Sequence, residues 1–171
     1  MGFLKKLFGI TDTSRPKSIA VADEKGGVFA PVGGKVEPMA SLPDPVFSTG
    51  ALGPCLGVWP TDGVVYAPVT GSITAAMPHA FGLMAENGTE VLVHVGIDTV
   101  EMKGDGFTVH VKEGDRVKAG DPMLSFDRNK VAKAGHPDVV MTAVTNAEEL
   151  ASLQLVAQGE VAAGDKLFQT A

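Results

Sequence analysis

Two of the four histidines, His79 and His94, are the side chains in this sequence best suited to do chemistry. The chain contains no nucleophile elbow, no phosphate-cradling P-loop and no paired-cysteine metal motif. A neutral imidazole is nucleophilic and has a pKa of about 6.5, so it can accept and release a phosphoryl group near neutral pH. The other histidines, His110 and His136, are expected to be solvated.

Phosphoryl transfer to an imidazole depends mainly on positioning. The transition state requires in-line geometry and hydrogen-bond donors to the phosphoryl oxygens, and it asks for little covalent work from the protein. A second imidazole can supply such a donor. His79 would do so if it begins the strand beside His94, an arrangement that a hairpin turn at 86–88 makes plausible.

The segment that carries His94 has the alternation of a half-buried strand. In 90–95 the odd-numbered residues are all valine, and the opposite face carries Leu92 and His94. A single histidine in an apolar strand is more often a hydrogen-bonded structural residue, so this strand alone leaves the role of His94 open.

The composition favours an all-β fold, because 21 glycines and 11 prolines accompany only 6 % aromatic residues. Short alternating or β-branched runs, cut by glycine and proline, predict antiparallel strands of a sandwich or barrel: 28–32, 63–68, 72–76, 90–95, 107–111, 123–126 and 139–144. Helical turns are predicted at 99–103, at 129–134 and after Asn146, whose side chain would cap 147–152.

Two short motifs recur along the chain. Ala30-Pro31-Val32 returns as Ala67-Pro68-Val69, and 117–121 (VKAGD) returns as 161–165 (VAAGD). These repeats predict similar strand-turn units that pack against each other, although generic turn chemistry explains them almost as well.

The chain divides into a short N-terminal segment (1–10), a flexible linker (11–26) and one domain (27–171). The first ten residues are amphipathic but too short to span a bilayer, so they are either a weak interfacial anchor at the membrane or a disordered terminus. The single cysteine, Cys55, and the lack of a signal peptide indicate a cytoplasmic protein, with peripheral contact to the inner face of the membrane as an option.

The net charge of −6 argues against nucleic acid as a partner, because nucleic-acid binding depends on clustered lysine and arginine. An acidic protein instead suits a basic protein partner, since complementary charge speeds their encounter.

The run from Gly88 to Val100 (GTEVLVHVGIDTV) resembles the phosphorylation-site signature of glucose-type enzyme IIA, a component of the bacterial phosphoenolpyruvate-dependent sugar phosphotransferase system. The resemblance covers 27–171. Further matching segments are EMKGDGF at 101–107, HAF at 79–81, APV at 67–69, PD at 43–44, VF at 46–47 and AP at 30–31.

The resemblance implies an all-β barrel-sandwich hybrid of antiparallel strands with a few short helical turns. It also implies a phosphotransferase component: His94 accepts a phosphoryl group from the histidine-containing phosphocarrier protein and passes it to a cysteine of the enzyme IIB domain of a sugar permease. His79 matches a second histidine that contacts the phosphoryl group, and no cofactor is required. Asp44 and Asp98 match acidic residues that flank the site. An apolar rim for partner docking would be formed by Val46, Phe47, Phe81, Leu92 and Val100.

One departure from the family pattern stands next to the first histidine. Family members often carry a threonine two residues before it, where the hydroxyl can hydrogen-bond the imidazole, and this chain has Met77 there, followed by Pro78. The support of the His79 tautomer therefore stays open.

Two other functions remain as alternatives. A zinc-dependent hydrolase of the barrel-sandwich type would use His79 and His94 as ligands, but such a site needs three protein ligands and an open position. In some relatives, zinc binds between the two histidines when a partner supplies a carboxylate. The second alternative is a binding module in which phosphorylation of His94 only regulates docking to transporters or kinases.

Overall fold

Antiparallel strands dominate residues 15–171, which are the part of the chain that the computed structural model describes. The predicted amphipathic segment 1–10 lies outside the described residues. Fourteen strands occur in the described part: β1 (Gly27–Phe29), β2 (Gly34–Pro38), β3 (Cys55–Pro60), β4 (Val64–Tyr66), β5 (Gly71–Met77), β6 (Ala80–Ala85), β7 (Glu90–Val95), β8 (Phe107–Val109), β9 (Arg116–Val117), β10 (Pro122–Phe126), β11 (Val140–Val144), β12 (Leu153–Leu155), β13 (Glu160–Val161) and β14 (Lys166–Thr170).

The strands form three sheets, and every pairing in them is antiparallel. The large sheet has the order β13-β2-β3-β11-β7-β6-β5-β9, and the two small sheets have the orders β1-β14-β12 and β4-β10-β8. The helices are short: α1 (Pro45–Ser48), α2 (Arg128–Lys133) and the 3-10 helices Met39–Ser41, Thr99–Met102 and Ala147–Glu149. The predicted all-β fold with a few helical turns is confirmed.

The main core lies between the large sheet and the two small ones. The alternation of β7 works as predicted: its valines are buried in this core, while Leu92 and His94 face the other side of the sheet. A second, smaller cluster covers that other side, and it includes Phe47, Cys55 and Met141. Leu92 packs against this cluster. The large sheet is therefore buried on both faces near the place where β7 ends.

β3 is not among the strands predicted from the sequence, because it is buried on both faces. Five of its six residues are buried, so its sequence lacks the alternation of a strand with one wet face. β2, β9, β12, β13 and β14 also lie outside the predicted runs, and β6 was expected only as the strand that His79 would begin. β2 begins at Gly34 and ends at Pro38, residues that read as turn signals in a single sequence.

The recurring motifs form equivalent structures. The Gly164 N–H donates to the carbonyl oxygen of Ala30 at 2.9 Å, and the Gly120 N–H donates to that of Ala67 at the same distance. The two Ala-Pro-Val regions are also hydrogen-bonded to each other: the N–H of Phe29 donates to the carbonyl oxygen of Pro68. The predicted packing of two similar strand-turn units is confirmed.

Residues 15–26 belong to the predicted linker at 11–26, and in the structure they form hydrogen bonds with the domain. The N–H of Ile19 donates to the carbonyl of Gly120 at 3.0 Å, and the Ser18 hydroxyl donates to Asp121 at 2.7 Å. Farther along, the Thr70 hydroxyl donates to Asp23 at 2.5 Å. Polar residues and a proline suggested a linker, but this segment finds partners on the turns of the domain that only the fold brings into reach.

The predicted cap at Asn146 is wrong. Its side chain accepts no N–H of the following turn, although its Nδ2 donates to the carboxylate of Glu149 at 3.2 Å. Its Oδ1 instead accepts from the N–H of Glu90 on β7 at 2.8 Å. The Nδ2 group donates to the carbonyl of Gly88 at 2.9 Å. Consequently only Ala147–Glu149 is helical. In residues 15–171, no helix has the length and apolarity needed to cross a bilayer.

Candidate functional site

His94 lies near the end of β7, between two neighbouring strands. It pairs with Ala80 of β6 on one side and with Met141 of β11 on the other. The strand pairing fixes the backbone of His94 and leaves its half-buried imidazole on the face opposite the main core. The two strand pairings therefore position the ring, and part of it stays exposed to a partner.

The imidazole has a fixed tautomer because of the residue two positions along the chain. Nδ1 of His94 lies 2.8 Å from the carbonyl oxygen of Gly96. A carbonyl oxygen can only accept, so Nδ1 carries the hydrogen and the lone pair of a neutral ring lies on Nε2. Of the two ring nitrogens, only Nε2 can therefore act as a nucleophile.

The backbone of Gly96 and Ile97 is fixed by the segment that leads into β11. The N–H of Gly96 donates to the carbonyl of Val139 at 2.8 Å, and that of Ile97 donates to the carbonyl of Pro137 at 3.0 Å. Gly96 has a φ of 78°, which other residues rarely adopt. Its position also leaves no room for a Cβ, which would lie 2.5 Å from the Cγ2 methyl of Thr99.

His79 occupies the two-residue turn that joins β5 to β6, in which Met77 pairs with Ala80. Its carbonyl oxygen accepts from the N–H of Val95 at 2.7 Å, so the turn is fixed to β7. The rings of His79 and His94 meet edge to face, with centroids 5.5 Å apart at an interplanar angle of 73°. Within the described chain, no group hydrogen-bonds to the ring nitrogens of His79, which leaves them available to a phosphoryl group.

A short helix completes the site on the other side of His94. Asp44 caps α1 by accepting from the N–H of Val46 at 2.8 Å, and Pro45 starts the helix. The helix brings Phe47 against His94, with ring centroids 5.3 Å apart. Phe47 is only 4 % exposed, so it forms a wall of the site.

Burial and nearby carboxylates act on His94 in opposite directions. Burial lowers the pKa of its imidazole below 6.5, and His79 lowers it further, whereas the bond to Gly96 and the charges of Asp44 and Asp98 raise it. Burial also lowers the pKa of His79. Both rings are therefore mostly neutral at pH 7, and nucleophilic attack requires the neutral form.

Two members of the predicted apolar rim, Phe81 and Phe47, are buried rather than exposed at its surface. Phe81 is 0 % exposed and belongs to the main core, because its position on β6 alternates away from the His94 face. Val46 and Val100 are 48 % and 55 % exposed, and Leu92 is half-buried. Asp98 is exposed beside them and adopts a left-handed φ of 60°.

The described residues do not form a metal site by themselves. No group of three or more histidine, cysteine or acidic side chains in residues 15–171 could hold a metal ion. His79 and His94 are two ligands, and a zinc site with a bound water needs a third. The nearby thiol of Cys55 is buried, which raises its pKa to about 12 and leaves it unreactive.

The prediction that His110 is a solvated side chain is wrong. Its Nε2 lies 2.8 Å from the hydroxyl of Ser125 on β10, and the ring is half-buried. The pairing of β8 with β10 brings these two residues together, which the sequence of either strand does not show.

Comparison with known proteins gives a match to one family model over most of the chain. A family model described as phosphoenolpyruvate-dependent sugar phosphotransferase system, EIIA 1, matches residues 26–150. The chain belongs to this family. That membership makes it a phosphotransferase component that carries phosphoryl groups in sugar uptake, as the resemblance implied. No cofactor requirement is known for the family.

Several relatives of the EIIA family are similar over most of the chain. A glucose-specific EIIA component from Halalkalibacterium halodurans is 39 % identical over 97 % of this chain and 96 % of its own length. A β-glucoside-specific EIIBCA component from Bacillus subtilis is 36 % identical over 84 % of this chain, which corresponds to 24 % of that larger protein.

A solved structure of an EIIA protein has the same fold. Glucose permease IIA from Mycoplasma capricolum superposes with a TM-score of 0.76 at 33 % identity, and the match covers 83 % of this chain and 93 % of that protein. These comparisons support the phosphoryl carrier and give no support to the zinc hydrolase or to a purely regulatory module.

The sequence did not reveal that Gly96 orients His94. The available signal was the glycine itself, two residues after the histidine at the end of a strand, where a positive φ can turn a carbonyl back towards the preceding side chain. The support from Pro137 and Val139 gave no signal, because it depends on the pairing of β7 with β11.

Proposed function

We propose that Nε2 of His94 is the atom that receives the phosphoryl group. The observation that carries the proposal is the 2.8 Å contact between Nδ1 and the carbonyl oxygen of Gly96, which leaves the lone pair on Nε2. The donor is the histidine-containing phosphocarrier protein, and the acceptor is the cysteine of the enzyme IIB domain of a sugar permease. The name of the relative with fused EIIBCA components agrees with such an acceptor.

In the transfer step, the lone pair of Nε2 attacks phosphorus from the side opposite the donor nitrogen. A bond from Nε2 to phosphorus forms as the bond from phosphorus to the donor imidazole breaks, and its electron pair stays on the donor nitrogen. The hydrogen on Nδ1 remains in place throughout, so the bond to Gly96 can stabilise the charge that develops on the His94 ring.

His79 contributes a hydrogen bond to the transferred group. Its ring faces that of His94, and its nitrogens have no other partner in residues 15–171. An N–H donor to a phosphoryl oxygen stabilises the equatorial charge of the transition state. The turn that carries His79 is fixed to β7, so the donor is positioned before the phosphoryl group arrives.

The surface around the histidines fits the docking of a basic protein. Val46, Leu92 and Val100 give a shallow apolar rim, and Asp44 with Asp98 supplies negative charge at its edge. Such a surface attracts positively charged partners and orients them. Phe47 supports the rim from below rather than contacting a partner.

The finer points of the proposal concern sugar, place and metal. Relatives are named for glucose and for β-glucosides, so we propose a sugar of this class, with the choice made by the membrane partner.

We propose that the protein lies in the cytoplasm, with its domain at 27–171 and with segment 1–10 at the membrane surface. Zinc would bind at His79 and His94 only if a partner supplied further ligands.

The experiment that tests the proposal is a reconstituted transfer. The purified chain is mixed with phosphorylated phosphocarrier, and its intact mass is followed before and after adding an enzyme IIB domain. We expect the gain of one phosphoryl group, its loss to enzyme IIB, and no gain in His94→Gln. His110→Gln is the matched control, because this half-buried histidine contacts Ser125 of β10, which lies in a different sheet from β7. Labelling of His94→Gln would refute the assignment.

A further inference from the structure

The loop that orients His94 depends on a segment with no regular secondary structure. Residues 136–139 link α2 to β11 and contain neither helix nor strand. Two carbonyls of this segment, those of Pro137 and Val139, accept from the N–H groups of Ile97 and Gly96. The position of the Gly96 carbonyl, and through it the His94 tautomer, therefore depends on where this segment lies.

The residue between these two acceptors is Asp138, which forms an ion pair on the other side of the segment. Its Oδ2 accepts from Nε of Arg128 at 2.8 Å. Arg128 is the first residue of α2, and its Nη1 also donates to the carbonyl of Thr61 at 3.1 Å. Asp127 caps that helix by accepting from the N–H of Asn129 at 2.9 Å, which fixes the start of α2.

We propose that Arg128 and Asp138 are positioning residues for phosphoryl transfer, which act by holding 136–139 so that Gly96 keeps the Nδ1–H tautomer of His94. This inference rests on the proposed function of His94. The contacts form one continuous path from the guanidinium to the imidazole: Arg128 to Asp138, through the backbone of Pro137 and Val139 to Ile97 and Gly96, and from Gly96 to Nδ1 of His94.

The burial of the pair supports such a role. The Asp138 side chain is 19 % exposed and that of Arg128 is 41 % exposed, so water screens their attraction only in part. A comparable pair, Arg116 with Glu86, has the same N to O distance of 2.8 Å but is 63 % and 65 % exposed. Arg116 lies on β9 at the edge of the large sheet, and among the described residues no hydrogen bond links it to 96–97.

The test compares variants that remove the ion pair without a large change in side-chain volume. Arg128→Gln and Asp138→Asn are prepared, with Arg116→Gln as the matched control. The readout is the pair of imidazole ¹⁵N chemical shifts of His94 at pH 7, which report the tautomer ratio in the unphosphorylated protein. The initial rate of phosphorylation by the phosphocarrier and the thermal unfolding midpoint are measured on the same samples.

We expect the ratio of Nδ1–H to Nε2–H tautomer to fall about fivefold in both variants, the size that weakening one hydrogen bond produces. The phosphorylation rate should fall with it, and the control should match the wild type. An unchanged ratio in both variants, an equal fall in the control, or loss of folding in both variants would overturn the proposal, because each points to no role or to a general structural one.

The tautomer measurement needs no phosphate, which separates this inference from the proposed function. If the wild-type protein is not phosphorylated on His94 at all, the proposed function fails whatever the ratios are. If the wild type is phosphorylated and the ratios of both variants stay unchanged, only the positioning role of Arg128 and Asp138 fails.

Discussion

The imidazole of His79 meets the ring of His94 edge-on, with centroids 5.5 Å apart, although fifteen positions of sequence separate the two residues. The relationship is set by the backbone: Ala80 pairs with His94, and the carbonyl of His79 accepts from the N–H of Val95. The paired rings are therefore a property of the β5–β6–β7 meander and do not require a bound ligand. A phosphoryl group arriving at one ring finds the other already in place.

The first prediction concerns the donor from His79. Replacing it with alanine removes one hydrogen bond to the transferred group, and we expect the rate of transfer to fall about 100-fold, as for loss of one donor to a developing oxyanion. His79→Gln keeps an N–H group and should lose less. Rapid-quench measurement of phosphorylated His94 checks this, and wild-type rates in His79→Ala would show that His79 takes no part.

The second prediction concerns pH. Burial holds the pKa of His94 below its ordinary value of 6.5, so more than half of the rings are still neutral at pH 6.5. The transfer rate should fall on acidification with a midpoint below pH 6.5, because a protonated Nε2 has no lone pair.

Replacing the carboxylate of Asp98 tests how nearby charge acts on the pKa of His94. The charge of Asp98 raises the pKa of His94, so Asp98→Asn should lower that pKa further. Asparagine also tolerates the left-handed φ of 60° at this position. NMR titration of the His94 ring measures the shift, with Asp105→Asn as the control. A pKa of His94 above that of the wild type in Asp98→Asn would contradict the electrostatic account.

The third prediction separates backbone strain from loss of space at Gly96. Alanine there must adopt a φ of 78° and place its Cβ 2.5 Å from Thr99, so we expect a loss of about 3 kcal/mol in the free energy of unfolding. Phosphorylation should slow as well, since the carbonyl that fixes His94 moves.

Gly88→Ala is the matched control for Gly96→Ala. Gly88 has a similar φ of 88° in the turn between β6 and β7, but nothing lies within 4 Å of the added Cβ. It should cost only the strain, about 1 kcal/mol, and leave phosphorylation unchanged. Urea unfolding followed by the fluorescence of Trp59, the only tryptophan, measures both variants. Equal losses in the two would show that the space at Gly96 is irrelevant.

The fourth prediction concerns the buried hydroxyl of Thr142 on β11. Thr142 is 0 % exposed, and its Oγ1 has no hydrogen-bond partner in residues 15–171. Thr142→Val keeps the shape and removes the polar atom, so we expect about 1 kcal/mol of added stability. Transfer should be unaffected, because Thr142 faces the opposite side of the sheet from its neighbour Met141, which lies below His94. A lower unfolding midpoint in Thr142→Val would contradict this prediction.

The sequence predicted the strand that carries His94 because one of its faces is fully buried and the other only half-buried. The alternation of β7 is a local signal, and so is the turn at 86–88 that pairs it with β6. β3 gave no such signal, since the cluster around Phe47 and Cys55 covers its second face. Tertiary burial removed the pattern on which strand prediction depends.

The sequence likewise predicted some residues of the candidate site and not others. His94 and His79 could be named from a specific motif, whereas Phe81 was misplaced because its face depends on the register of β6. Residues 15–26 looked like a linker, since their partners on the 120 and 164 turns are distant in sequence. Asn146 looked like a helix cap, and its actual partners, Gly88 and Glu90, lie more than fifty positions away.

The most direct test of the account is to identify the nitrogen that bears the phosphoryl group. The protein is labelled with ¹⁵N on histidine, phosphorylated by the phosphocarrier, and analysed by NMR for one-bond coupling between phosphorus and nitrogen. The contact between Nδ1 and Gly96 predicts coupling to Nε2 of His94 alone. Coupling to Nδ1 of His94, or to a nitrogen of His79, would contradict the account.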